Sequence, residues 1–150
     1  MAMKAKRPPA RKSQSGSAML ELALFLPVAV LLLLGSSDFA RVFYAAIETT
    51  NASRAGAGYG IQSKAKSQDL TGMRDAAVAD AANLTGVTAT AERFCECSSG
   101  LSILCSSTCL VGTKRIYVRV RTQKTFTTLA SYPAIPSSIN LSVPAVMRVQ

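Results

Sequence analysis

The residues best equipped for chemistry in this 150-residue chain are four cysteines, Cys95, Cys97, Cys105 and Cys109, arranged as C-x-C…C-x3-C. Four thiolates this close could bind zinc, but zinc ribbons favour paired C-x2-C spacing, which this pattern lacks. The competing chemistry is oxidation to disulfides, which prevails wherever the segment lies in an oxidising compartment. Strand alternation puts Cys95 and Cys97 on the same face, so a direct bond between them is disfavoured and each reaches forward to Cys105 or Cys109. Two connectivities stay open: the nested pairs 95–109 with 97–105, and the crossed pairs.

Histidine is absent. The usual general base near neutral pH and the commonest zinc ligand are therefore both missing. The sequence has no GxxxxGK[ST] phosphate loop, no GxSxG and no HExxH. These absences predict a non-enzymatic protein that needs no cofactor and no metal. A formal charge of +9 would ordinarily raise nucleic-acid binding, but its distribution predicts no nucleic-acid partner. Lys4, Lys6, Arg7, Arg11 and Lys12 precede an apolar segment with no acid among residues 1–16, the pattern that holds a leader in the cytoplasm. The other basic run, Lys114–Lys124, alternates with Ile116, Val118 and Val120 and reads as the solvated face of a strand, with a phosphate- or lipid-binding patch as the lesser alternative.

A second residue of interest is Glu21, the one charge in the 18-residue run from Ala18 to Gly35. At about 1.5 Å per residue that run makes roughly 27 Å of helix, a short membrane span. A carboxylate at such a depth costs about 2.5–3.5 kcal/mol unless it is paired or neutralised. Cleavage after Gly16 would provide a partner: Ser17 becomes the new N-terminus, Glu21 becomes the fifth residue, and the carboxylate of one subunit can meet the α-ammonium of a neighbour. The competing reading is a conventional signal peptide cut after Gly35-Ser36-Ser37. Against it, Phe39, Val42, Phe43, Ala46 and Ile47 continue a helical periodicity past Asp38. Pro27 lies within the apolar run and predicts a tolerated kink, since neighbouring helices can satisfy the carbonyl it frees. Asp38 and Arg41, three apart, predict an exposed ion pair on the helix surface.

Taken together, Gly16, Glu21, Pro27, Gly35, Asp38-Phe39-x-Arg41 and Asn51-Ala-x-Arg54-Ala-Gly56 resemble the N-terminal region of the TadE-like family, pilin-like minor subunits of the Tad (tight adherence) pilus system. The resemblance covers roughly residues 15–60. It implies processing by a prepilin peptidase on the cytoplasmic side and a single-pass location in the inner membrane, with the C-terminal part in the periplasm. It further implies work in pilus assembly with other pilin-like subunits and the Tad inner-membrane machinery, with incorporation into an extracellular pilus left open.

In chain order, residues 1–16 are expected to be a basic leader, 17–60 a transmembrane and extended helix, and 61–150 a small α+β head. Helical character is expected to run to about Arg54 and weaken through Ala55–Gly60, where three glycines invite a bend or a close contact. A short helix is expected over Leu70–Leu84 with Met73, Ala77, Ala81 and Leu84 on one face. Strands are expected at Val87–Phe94, Ile116–Phe126 and Ile139–Val149. Pro133 and Pro136 mark the last loop, and Pro144 argues for an edge strand or a local break. The fold class is thus α+β, with one long apolar helix and an antiparallel, disulfide-stapled head. The function that follows is a minor pilin or pseudopilin; the alternative is a small secreted or periplasmic binding protein released by signal peptidase.

Overall fold

The computed structural model describes residues 15–131 and 134–150; the basic leader residues and Pro133 lie outside them. Its elements are α1 (Ser15–Gly60), a 3-10 turn (Lys66–Gln68), α2 (Leu70–Asp80), β1 (Thr88–Cys97), β2 (Ser102–Ile103), β3 (Lys114–Thr127) and β4 (Ser138–Val149). The chain divides into two compact units, Met1–Ser37 and Asp38–Gln150.

In the first unit, α1 is long and apolar enough to cross a membrane. Its leucines from Leu20 to Leu33 are exposed, so their apolar area, about 25 cal/mol per Å², awaits an apolar surrounding. Ser36 removes its hydroxyl from competition by donating to the Leu33 carbonyl at 3.0 Å. Pro27 lies inside the helix.

The second unit is a four-stranded antiparallel sheet in the order β2-β1-β3-β4, with residues 38–60 of α1 and all of α2 packed on one face. Its register runs Thr88↔Gln123 to Cys97↔Lys114 between β1 and β3, and Ile116↔Val149 to Thr127↔Ser138 between β3 and β4. Pro144 sits in β4, the edge strand, where its missing N–H breaks no interior ladder. Thr, Val and Ile at alternate positions of β3 put Val118, Val120 and Thr122 into the interior. The core itself is Ala57, Met73, Ala77, Val118, Val120 and Val149.

The helix does not weaken at Arg54; it continues to Gly60. Gly56 and Gly60 are close-contact positions, not a bend, whereas Gly58 faces open space. A Cβ on Gly56 would lie 2.6 Å from the Met73 carbonyl and 2.9 Å from Ala77 Cβ, and one on Gly60 would lie 2.5 Å from Met73 Sδ. Glycine costs about 1 kcal/mol in a helix interior, and the approach of α2 and the sheet offsets it. The same logic selects Ala45, Thr49, Ala52, Ser53 and Ala57, which are buried at helical spacing along this stretch.

Helix α2 ends at Asp80, not Leu84. Asp69 caps its N-terminus, accepting from the Gly72 amide at 2.8 Å and from the Tyr59 hydroxyl at 2.9 Å. The Gly72 hydrogen bond first, then Tyr59, hold the Asp69 carboxyl below its ordinary range. Met73, Ala77 and Ala81 face the core as their spacing predicts, and Leu84 is half-buried. The two-residue strand β2 was not legible in the alternation.

Candidate functional site

Two disulfides close the loop between β1 and β3: Cys95–Cys105, with Cα atoms 5.1 Å apart, and Cys97–Cys109, with Cα atoms 5.8 Å apart. This is the crossed connectivity. The reason is a hairpin. Gly100, at φ +86°, allows a tight reversal in which its amide bonds to the Cys97 carbonyl and the Cys97 amide to the Leu101 carbonyl. Chain beyond that turn runs back along β1, placing Ile103 opposite Cys95 and bringing Cys105 to Cys95 first. The return leg toward Lys114, which pairs with Cys97, then carries Cys109 to Cys97. Both β1 cysteines are buried on one face, as alternation requires. Lys114 Nζ fastens the loop further, donating to the carbonyls of Cys105 at 2.9 Å and Ser107 at 3.1 Å.

At the opposite end of β3, the start of the second unit gathers Asp38, Arg41, Phe126 and Leu129. The expected exposed ion pair is only half right. Arg41 donates to Asp38 at 2.8 Å, but the Asp38 side chain is 8% exposed whereas that of Arg41 is 44% exposed. The Leu129 amide explains the burial, since it donates to both Asp38 oxygens at 3.1 and 2.9 Å. A charge withdrawn from water is tolerated where hydrogen bonds and a counter-charge replace hydration. Arg41 also lies over the Phe126 ring, 5.1 Å from its centroid. Asp38 thus fastens the strand loop to α1 across 91 residues of sequence. A second tie is Thr122, buried on the sheet face, whose hydroxyl donates to the Thr49 carbonyl at 2.6 Å.

Asn51 and Arg54 do not join this cluster. They line a shallow depression of about 280 Å³ with Phe43, Ala46, Ile47 and Thr50 on the outward side of α1. Phe39 and Phe43 stack edge-on at 4.9 Å and, with Ile47, leave more than half of their surface exposed on that side. Gly16, Ser17 and Glu21 are exposed positions on α1. Among the described residues the Glu21 carboxylate has no ion-pair or hydrogen-bond partner. Sequence reasoning missed Leu129 and Phe126 as partners of the Asp38-Arg41 pair; a backbone amide leaves no residue-type signal. Thr122 carried a faint one, a hydroxyl on an otherwise aliphatic face.

Fold and site define an α+β protein whose N-terminal apolar helix can cross a membrane and whose sheet is cross-linked at one end by two disulfides. Residues 16–58 match the family model described as TadE-like protein, so this segment is similar to that family, in agreement with the resemblance of its motif residues. The match begins at Gly16 and takes in Glu21, Pro27, the Asp38-Arg41 pair, Asn51 and Arg54. No curated protein and no solved structure matches the chain.

Proposed function

We propose that the chain is a minor pilin or pseudopilin of Tad-type pilus assembly, a structural component and not an enzyme. It inserts with its basic leader in the cytoplasm and residues 38–150 in the periplasm, and a prepilin peptidase cuts it after Gly16. The observation that carries this reading is an exposed Glu21, without an ion-pair partner among the described residues, inside an apolar helix whose TadE-like match starts at Gly16. Once Ser17 is free, its α-ammonium on another pilin-like subunit meets Glu21 and offsets the cost of placing a carboxylate in lipid. That pairing fixes the axial position of one subunit against the next. The remaining partners are the Tad inner-membrane machinery and membrane lipid.

The continuity of α1 through Gly35-Ser36-Ser37-Asp38 favours this reading over release by signal peptidase. Mass spectrometry of the membrane-associated form tests it, with Ser17 as the expected first residue. A mature chain beginning at Asp38 would establish the secreted alternative instead. Glu21→Ala should keep or improve membrane insertion and impair assembly; normal piliation in that variant would remove the role given to Glu21.

A further inference from the structure

The second unit contains a cleft of about 410 Å³ in which Arg41 and Tyr44 of α1 face Thr85, Lys124 and Phe126. Among the described residues no carboxylate lines it. The acid that touches its lining, Asp38, takes one Arg41 nitrogen and is itself engaged by the Leu129 amide. Arg41 has five N–H donors in a planar fork. Nearly half of its side chain is exposed. Lys124 reaches the Thr85 carbonyl, a neutral acceptor, so its charge is not cancelled there. The remaining lining is the neutral amide Asn83 and the apolar Ala40, Ala45, Leu84 and Phe126.

We infer that this cleft holds the headgroup of an anionic phospholipid. A phosphodiester carries one negative charge on two equivalent oxygens, which suits an arginine fork and a lysine point charge on facing walls. Apolar walls have no use for free phosphate, but they cover the glycerol and first methylenes of a lipid. The sequence adds a second argument. Arg41 and Tyr44 follow closely on the apolar run ending at Leu34, with Phe39 and Phe43 between, the mixture of aromatic and basic residues that flanks membrane spans. Tethering through that run holds the cleft's residues at a high effective concentration of headgroups. The inference rests on membrane anchoring but not on a role in pilus assembly, so piliation and lipid contact can fail independently.

The full-length chain in phosphatidylcholine nanodiscs containing a tenth part of spin-labelled phosphatidylglycerol or spin-labelled phosphatidylcholine provides the test. Phosphatidylglycerol should be the more strongly immobilised. Its preference should fall about five-fold in Lys124→Gln, the loss expected for one basic residue at an anionic surface, and be kept in Lys124→Arg. Arg119→Gln removes an equal charge from the Glu92 pair elsewhere on the sheet and should leave the preference within two-fold. Arg41→Lys, which keeps the charge but not the fork, should weaken it less than Lys124→Gln does. Equal immobilisation of the two lipids, an unaffected Lys124→Gln, or an equal loss in Arg119→Gln would overturn the inference. Sodium phosphate that abolishes the preference at an ionic strength where sodium chloride does not would also overturn it, in favour of a free-anion site.

Discussion

Replacing Asp38 with Ala removes the one acceptor drawn on by both the β3–β4 loop and Arg41. The Leu129 amide would lose a carboxylate partner; hydrogen bonds to charged groups contribute about 1.5–3 kcal/mol. The Arg41 pair adds less, because its guanidinium is 44% exposed; a pair so screened by water is worth about 0.2–1 kcal/mol. Together these put Asp38→Ala at about 2–4 kcal/mol of destabilisation. Arg41→Gln should stay below about 1 kcal/mol. Asp38→Asn, which retains one neutral oxygen for Leu129, should cost about 1–2 kcal/mol. Thermal unfolding of the full-length protein in detergent, followed by near-UV circular dichroism, should show the alanine variant melting roughly 10 °C lower. If Arg41→Gln is as damaging as Asp38→Ala, or if Asp38→Ala is neutral, the carboxylate does not anchor the loop and the reasoning fails.

Gly56→Ala should destabilise by about 1–3 kcal/mol, because the Met73 carbonyl is backbone and cannot rotate away. Gly58→Ala, with nothing within 4 Å of its Cβ, should instead stabilise by about 0.5–1 kcal/mol; opposite signs in urea melts are the expected result. Stepwise reduction with alkylation and peptide mapping should recover Cys95 with Cys105 and Cys97 with Cys109, and removing the second pair as Cys97→Ser with Cys109→Ser should cost about 2–3 kcal/mol. Because the folded Asp69 carboxyl titrates below its unfolded value, its contribution is fully present above pH ~4 and is lost as pH falls through the folded value. Asp69→Asn should therefore flatten the acid limb of the stability profile, measured by thermal melts between pH 6 and pH 2.

Much of the architecture was legible because it rests on local periodicity. The run Ala18–Gly35 announced a membrane-length helix, and Phe39 to Ile47 announced its continuation. The alternation of Ile116, Val118, Val120 and Thr122 gave the buried face of β3, and Pro144 narrowed β4 to an edge strand or a local break, of which the sheet order selects the edge. Met73, Ala77 and Ala81 gave the buried face of α2, although its C-terminal boundary fell short of Leu84. Periodicity is written residue by residue, so it survives without a fold.

What the tertiary structure alone decided concerns pairs of residues far apart in the chain. Cys95 could face Cys105 or Cys109 on spacing alone; the Gly100 hairpin reversed the chain and selected Cys105. Gly56 and Gly60 could mark a bend or a contact, and the approach of Met73 made them a contact, extending the helix past Arg54. Asp38 read as half of a surface pair because a backbone amide such as that of Leu129 has no letter in the sequence. A carboxylate's environment depends on which donors the fold delivers, and these arrive only when the strands and helix have been brought together.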